Sequence, residues 1–307
     1  MNTLAVGVQS KGIVYDNDPL EGFEMMKRAG FSCCDFSLDS YFTDMSFNSP
    51  KGNDFFQKSV QELKDFFASH KKAAEIAGVK IHQMRMPSSA NIPNMAVEID
   101  ESLMHTVASK SMEICAFFGC PYLVVSGFDA ANGIGGEGIA WEETEKLIES
   151  LAPMAKELKI TVCMENSYTG FCYDVEKAVV YMNCMNEKYD AEILGFCFDT
   201  GYARISGINF EDMITKLGDR LKVLHIHDND GNRDLHQIPF TLTGDGQNVS
   251  STDWEGFIRG LRRIHFDKVL TFETSSALSV FPRKMKQDVL RLVAQIGDYF
   301  IGEIRDS

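Results

Sequence analysis

Short apolar stretches alternate with longer amphipathic stretches along the whole chain of 307 residues. The short stretches are apolar or rich in β-branched residues, and each is short enough for one buried strand. In the longer stretches apolar residues return every three or four positions, which is typical of helices with one buried face. The predicted strands are residues 4–8, 33–37, 79–83, 122–126, 160–165, 194–199, 221–227 and 269–273.

This alternation of strands and helices predicts a parallel sheet built from βαβ units. Residues 55–78 and 250–264 show the helical period most clearly, and Ser251 or Thr252 is placed to cap the second segment. The closed arrangement of eight such units is the (β/α)8 TIM barrel. We therefore predict an α/β TIM barrel that forms a single domain over residues 1–307.

An open, doubly wound α/β sheet is the alternative fold. It would carry a glycine-rich phosphate turn directly after the first strand, and the chain has none there. The glycine-rich sequence GIGGEG (133–138) follows the fourth predicted strand at a distance, so we predict a loop. No long linker, low-complexity segment or block of like charge marks a domain boundary.

The charge of the chain narrows the range of partners. The formal net charge is −14 at pH 7, which repels phosphate backbones and anionic membrane surfaces. A nucleic-acid partner is therefore disfavoured, and so is a membrane partner. The oligomeric state is not readable from the sequence, and a homo-oligomer stays open.

The first residues and the cysteines indicate the compartment. The N-terminus has no basic segment followed by an apolar one, and no apolar run is long enough to span a membrane. The chain has eight cysteines without a Cys-x-x-Cys pair, and Cys115, Cys163 and Cys197 lie within apolar runs. We expect reduced, buried thiols in a cytoplasmic protein.

The last four predicted strands each end in an ionisable residue, and in a TIM barrel the strand ends build the active site. Carboxylates that cluster there repel one another unless a cation or a shared proton neutralises them. Two carboxylate types plus imidazole suit a divalent first-row metal ion, which we favour over a proton-sharing polar cluster. The four residues are Glu165, Asp199, His225 and Glu273.

Four short motifs surround these strand ends: MEN (164–166), FDTGYA (198–203), HIHDNDGNRDLHQIP (225–239) with DW (253–254), and FET (272–274). Together they resemble the strand ends of the xylose-isomerase-like barrel superfamily, which contains sugar isomerases and epimerases, inosose dehydratases and apurinic endonucleases. The resemblance covers nearly the whole chain and is sharpest over residues 159–275. It implies that Glu165, Asp199, His225 and Glu273 match the divalent-metal ligands that the family shares.

The resemblance also indicates how many ions to expect. Asp234 and His236 resemble a pair that holds an additional zinc in multi-metal endonucleases, but that site also needs a histidine where this chain has Tyr202. Histidines that the likeness implies near the ends of strands three and four are replaced by Arg85 and Ser126. Unless His82 takes the place of Arg85 through a shift in register, these departures favour one metal ion rather than three.

Several residues are candidates for binding the substrate. Asp234 and His236 either line the pocket or only brace their loop, and Tyr202 is a further candidate. Arg85 either holds a carboxylate, phosphate or polyol oxygen, or forms a salt bridge with a metal-site carboxylate or with Asp35. His227 is favoured as a structural residue behind the ligands.

The remaining histidines and one tryptophan have simpler interpretations. A carboxylate such as Asp228 is available to orient His227. We expect solvent-facing side chains at His70, His105 and His265, which fall in helical segments or turns. Trp254, at the start of a helix, is expected to pack rather than to stack on a sugar.

The expected chemistry is proton transfer on a sugar, sugar phosphate or polyol, with one divalent ion (Mn, Co, Zn, Fe or Mg) as cofactor. The resemblance implies that Glu165 and Glu273 act as an acid/base pair through a metal-bound enediolate. Isomerisation or epimerisation ranks first and dehydration of an inosose-type keto-polyol second. An apurinic endonuclease and a non-catalytic metabolite-binding barrel remain as alternatives.

Overall fold

The computed structural model describes residues 4–41, 54–87, 101–128, 137–167, 172, 174–242 and 252–305. Eight parallel strands form a nearly closed barrel with helices between them, which confirms the predicted fold. The strand order is β7-β6-β5-β4-β3-β2-β1-β8. The strands are β1 (Ala5–Gln9), β2 (Cys33–Ser37), β3 (Lys80–Arg85), β4 (Tyr122–Ser126), β5 (Thr161–Glu165), β6 (Leu194–Asp199), β7 (Leu221–His225) and β8 (Val269–Phe272).

Most of the described helices follow a strand along the chain, as the βαβ pattern predicts. Short 3-10 helices cover Asp39–Tyr41, Gly218–Arg220 and Arg283–Met285. The α-helices are α1 (Pro19–Ala29), α2 (Asp54–Gln57), α3 (Val60–Ala77), α4 (Glu101–Phe118), α5 (Glu137–Leu158), α6 (Val175–Tyr189), α7 (Thr200–Ile205), α8 (Phe210–Leu217), α9 (Trp254–Arg263), α10 (Ser275–Ser279) and α11 (Lys286–Arg305).

The chain divides into two compact units, of which the first comprises Met1–Asp35, Lys72–Lys80 and Cys197–Ser307. In this unit β1 pairs in parallel with β8, and a bridge between Ile226 and Phe272 joins the end of β7 to β8. The prediction of a single domain over residues 1–307 stays a prediction.

The helix α11 closes over the core of this first unit. A Cβ atom on Gly297 would lie 2.5 Å from Val6 Cγ1, so glycine permits a close approach of the helix to β1. Phe300 stacks on Phe272 with 6.3 Å between ring centroids, and Trp254 packs against Phe300 at 5.4 Å. Trp254 is 5% exposed, as expected of a packing residue.

The second unit comprises Phe36–Lys71 and Ile81–Phe196. Its strands β3, β4 and β5 pair in parallel, with Ser126 opposite Glu165. An aromatic cluster lies behind them, where Phe36 and Phe67 meet edge to face at 5.6 Å. The His70 ring joins this cluster 5.5 Å from Phe67 and is 1% exposed. The expectation that His70 faces solvent was wrong, because α3 turns this position towards the aromatic rings.

Two predicted helices begin at other residues than expected. The segment 55–78 contains two helices, α2 and α3, because Ser59 starts a capping box in which its amide donates to Glu62 Oε2 and its hydroxyl accepts from the Glu62 amide. The cap of α9 is Asp253, whose carboxylate accepts from the Gly256 amide. Thr252 was therefore wrong as the cap, because its hydroxyl donates to Asp228 instead, and Ser251 lies outside the described residues.

The cysteines and the helices agree with most of what the sequence predicts about them. All eight cysteines are free, and seven of them are buried, with Cys184 exposed. Among the helices of the described residues, none is both long and apolar enough to cross a membrane. Positions 133–136 of the predicted GIGGEG loop lie outside the described residues, and Glu137 and Gly138 begin α5.

Candidate functional site

Three of the predicted ligands lie together at the strand ends of the first unit. Asp199 ends β6, His225 ends β7, and Glu273 directly follows β8. All three are at most 3% exposed, and His225 Nδ1 lies 3.3 Å from Glu273 Oε2. Because parallel strands end at the same edge of a sheet, residues far apart in sequence meet here.

A carboxylate that the sequence did not assign to the metal site lies beside His225. Asp35, in β2, is fully buried, and its Oδ2 lies 3.1 Å from His225 Nε2. Gln9, at the end of β1, donates to the same oxygen at 3.4 Å. The signal in the sequence was a charged residue within the otherwise apolar run CCDFS. The imidazole of His225 thus has a carboxylate next to each ring nitrogen.

His227 lies behind Asp199 and is fully buried. Its Nε2 lies 3.1 Å from Asp199 Oδ2 and 3.8 Å from Asp234 Oδ1. Asp228 was wrong as its orienting carboxylate, because Asp228 accepts from the Thr252 hydroxyl and the Asn229 amide. Burial lowers the pKa of His227, but the negative charges of Asp199, Asp234 and Glu273 and the hydrogen bond with Asp199 together outweigh it, and the pKa rises to about 9.

The ring of His227 contacts two neighbours. A Cβ atom on Gly201 would lie 1.9 Å from His227 Cε1, so this edge of the ring lies directly against the glycine. His236 stacks on the ring, with 4.2 Å between centroids and 17° between planes. Asn229 supports this arrangement by donating to the Gly201 carbonyl at 2.9 Å. The glycine of FDTGYA is therefore needed for the fit of an imidazole.

Asp234 and His236 form a pair in the loop after β7. His236 Nε2 lies 3.0 Å from Asp234 Oδ2, and His236 Nδ1 lies 3.3 Å from the Glu273 carbonyl oxygen. Burial raises the pKa of Asp234, but the hydrogen bond with His236 and nearby positive charge lower it more. Backbone bonds between Asp228 and Gln237 close the loop.

This pair bears on the question of a second ion. Ligand atoms of His227, Asp234 and His236 lie within 4.8 Å of one another. The two imidazoles are nearly parallel, however, so their in-plane nitrogen lone pairs do not converge on one point. The stack therefore suits a brace of the loop better than a second metal site, and a pocket-lining role for Asp234 and His236 stays a prediction.

Tyr202 takes part in the site through its backbone. Its amide donates to Asp199 Oδ1 at 2.8 Å, so Asp199 caps helix α7. The other carboxylate oxygen of Asp199, Oδ2, faces His227. Both oxygens of Asp199 are thus oriented, which holds the carboxylate in one position. A contact between the Tyr202 side chain and a substrate stays a prediction.

In the second unit Glu165 ends β5 and is 2% exposed. Arg85 Nη2 donates to Glu165 Oε2 at 3.1 Å, and Ser126 Oγ donates to the same oxygen at 2.7 Å. Arg85 therefore forms the salt bridge that was the alternative to a substrate contact. His82 does not replace it at the strand end, because the His82 ring packs against Tyr122, the first residue of β4.

The donor set fits a divalent cation. Buried carboxylates that lie close together repel one another unless a positive charge is nearby. Carboxylate oxygens with one imidazole are suitable ligands for Mn, Co, Zn, Fe or Mg. Among the described residues, His105 and His265 are exposed, as expected, and lie apart from this set. In the first unit the buried side chains of Asp199, His225 and Glu273 supply such donors. In the second unit Glu165 supplies a further buried carboxylate at the end of β5.

The sequence as a whole matches a known family. A sequence profile described as the xylose isomerase-like TIM barrel covers residues 23–293. The chain belongs to this family. The resemblance found in the motifs at the strand ends is thereby confirmed, and so is the fold.

Several proteins with solved structures share this fold. D-allulose 3-epimerase from Methylomonas sp., in complex with D-allulose, is 16% identical, with a TM-score of 0.65 over 98% of this chain and 97% of the other. A D-psicose 3-epimerase in the presence of D-fructose is 13% identical, with a TM-score of 0.67 over 97% and 99%. The 3-keto-D-glucoside 4-epimerase of E. coli is 14% identical, with a TM-score of 0.66 over 95% and 100%.

A curated relative adds no activity to this comparison. It is an uncharacterized protein of Sinorhizobium fredii, y4fM, which is 22% identical over 217 residues. The match covers 70% of this chain, and the chain spans 58% of the length of that relative.

Proposed function

We propose that the protein is a divalent-metal-dependent isomerase or epimerase of a sugar, sugar phosphate or polyol. The observation that carries this proposal is the buried group of Asp199, His225 and Glu273 at the strand ends of the first unit, where His225 Nδ1 lies 3.3 Å from Glu273 Oε2. Sugar epimerases among the solved structures of the same fold support the substrate class. The net charge of −14 argues against a DNA backbone as substrate.

Glu165, Asp199, His225 and Glu273 would hold the ion. When bound, a divalent ion polarises a carbonyl oxygen and orients the neighbouring hydroxyl. His227 and Tyr202 would keep Asp199 in place, through its Oδ2 and Oδ1 atoms respectively. Asp35 would orient His225 from the far side of the ring.

Glu165 and Glu273 would move the proton. One glutamate accepts a proton from the carbon beside the carbonyl, and a protonated group returns a proton in the second half of the reaction. Return to the same carbon from the opposite face gives an epimer, and return to the neighbouring carbon gives the aldose or ketose isomer. Loss of hydroxide instead gives a dehydrated product, so the same residues would also serve a dehydratase.

The substrate would be bound by residues around this pair. Asp234 and His236 lie next to Glu273 and are 26% and 19% exposed in their side chains, so they are partly accessible. They would contact hydroxyl groups of the substrate, with Tyr202 as a further contact. His227 and Arg85 are buried, and for them we favour support of Asp199 and Glu165 over contact with the substrate.

The test begins with the metal content of gently purified protein by elemental analysis. We expect about one ion per chain, lost in Asp199→Ala and in His225→Ala because each removes a ligand. Asp298→Ala, which changes an exposed aspartate on α11, is the matched control and should keep the ion. D-allulose, D-fructose, a 3-keto-glucoside and an inosose are then incubated in deuterated water, and mass spectrometry follows deuterium entry and loss of water.

The outcomes separate the alternatives. Deuterium uptake without loss of water supports the isomerase or epimerase, and loss of water identifies a dehydratase. Two or three zinc ions per chain with nicking of abasic DNA would replace the proposal by an endonuclease. Absence of metal even after reconstitution with each ion would refute it.

A further inference from the structure

Three neighbouring strands of the second unit end in side chains that meet on one oxygen atom. Arg85 is the last residue of β3, Ser126 of β4 and Glu165 of β5. Ser126 and Glu165 lie directly opposite each other in the strand register. The guanidinium and the hydroxyl both donate to Glu165 Oε2, at 3.1 Å and 2.7 Å respectively.

The pair of Arg85 and Glu165 is almost removed from water. The side chains are 5% and 1% exposed, respectively. A buried ion pair adds little net stability, because desolvation of both charges offsets their attraction. Stability alone therefore does not explain why an arginine ends β3 here, and its effect on Glu165 is the better explanation.

We propose that Arg85 acts as a fixed cation that anchors Glu165 Oε2, with Ser126 as the second anchor, so that the site operates with a single divalent ion. Both are positioning residues, and the inference rests on the proposed function of Glu165. With Oε2 of Glu165 held from two sides, the carboxylate keeps one direction at the end of β5.

Arg85 supplies a positive charge to the carboxylate of Glu165. The side chains that end two adjacent strands, β3 and β4, both point at one oxygen of this carboxylate. In this place the chain supplies the positive charge covalently, as a guanidinium that keeps its charge and its direction. Imidazoles at the same two positions would instead form a His₂-carboxylate set with Glu165, which binds zinc and similar ions.

The experiment is the double variant Arg85→His/Ser126→His, measured beside the wild type for zinc and manganese content by elemental analysis. We expect the variant to bind one ion more per chain than the wild type does. The single variants Arg85→His and Ser126→His are the controls, since each adds one imidazole only. Equal ion content in a folded double variant and the wild type would overturn the inference.

The same measurement separates this inference from the proposed function. One ion in the wild type and two in the variant support both, whereas one ion in each refutes the anchor alone. No ion in the wild type and one in the variant refutes the proposed function and the single-ion part of this inference, and leaves the anchoring of Glu165 by Arg85 standing. No ion in either chain refutes both.

A second comparison decides the matter if the double variant does not fold. Arg85→Lys keeps a cation near Glu165, and Arg85→Met keeps a long side chain without the charge. We expect Arg85→Met to lower the ion affinity, and the kcat of deuterium exchange, by about 10-fold to 100-fold, and the lysine variant to recover part of both. KM should change little. A methionine variant equal to the wild type, or a lysine variant no better than methionine, would contradict the anchor.

Discussion

Glu165 and Glu273 are both glutamates at a strand end, yet their surroundings differ. Glu273 lies among imidazoles, with His225 Nδ1 3.3 Å from its Oε2 and His236 Nδ1 3.7 Å from its Oε1. Glu165 has a guanidinium and a hydroxyl, and both donate to a single oxygen. The exposed fractions are almost equal, at 3% and 2%, so burial does not distinguish them.

The groups that contact the two glutamates differ in their acid–base chemistry. A guanidinium remains charged at every pH at which a protein is folded, whereas an imidazole gains or loses its charge near neutrality. The cation beside Glu165 is therefore a permanent one, whereas the side chains of His225 and His236 beside Glu273 are imidazoles. Two glutamates that are proposed to form an acid/base pair need not be interchangeable, and here the side chains that contact them differ.

The largest effect is expected when either glutamate loses its ability to carry a proton. Glu165→Gln and Glu273→Gln should each lower the rate of deuterium exchange by about 10²-fold to 10⁴-fold, because a general acid or base contributes that much. Circular dichroism should be unchanged. Glu157→Gln, on an exposed position of α5, is the control. Near-wild-type exchange in both site variants would remove the acid/base assignment.

The next effect concerns the ion that the two glutamates would share. Adding manganese to metal-free protein at 100 times the dissociation constant should stabilise it by about 2.7 kcal/mol, because only the folded chain binds the ion. Chemical unfolding with and without chelator measures this difference. Asp199→Ala should show no such gain, and an equal gain in this variant would mean that the ion binds elsewhere.

The barrel and its strand ends were predictable because both follow from local pattern. Buried strands and amphipathic helices each have their own period, and eight repeats of the pair favour one closed fold. Asp199, His225 and Glu273 stood out since each follows an apolar run, and the ends of parallel strands share one edge. The structure brings these three together in the first unit.

The partners of these residues were not predictable, because they depend on side-chain direction across long sequence separations. His227 was assigned the neighbouring Asp228, but its partner is Asp199, which is 28 residues away. Thr252 was assigned to a helix cap, but its hydroxyl donates to Asp228. Asp35 lies opposite His225 only because β2 and β7 belong to one barrel. The hydrophobic period and the spacing of residues predict where a residue lies along a strand or helix. They do not predict which side chains contact one another across the fold.

A smaller effect tests the packing beside Glu273 and Asp199. Gly201→Ala should cost about 1 to 3 kcal/mol in the free energy of unfolding, because the added methyl group overlaps the His227 ring. Gly302→Ala, on α11, has no atom within 4 Å of the added Cβ and should stabilise the helix by about 0.5 to 1 kcal/mol. Urea titration of both variants gives the comparison, and equal stabilities would show that His227 does not need the glycine.

The smallest effect separates the two roles considered for His236. This residue has a φ of 47°, a left-handed conformation that asparagine tolerates better than most residues. His236→Asn therefore keeps the loop while removing the imidazole that lies between Asp234 and the Glu273 carbonyl. If His236 contacts the substrate, we expect kcat/KM to fall by about threefold to tenfold through KM, as for one hydrogen bond of about 1 kcal/mol. An unchanged KM with a lower free energy of unfolding would instead show that His236 stabilises its loop. His225 would then be the imidazole neighbour of Glu273 that contributes to turnover.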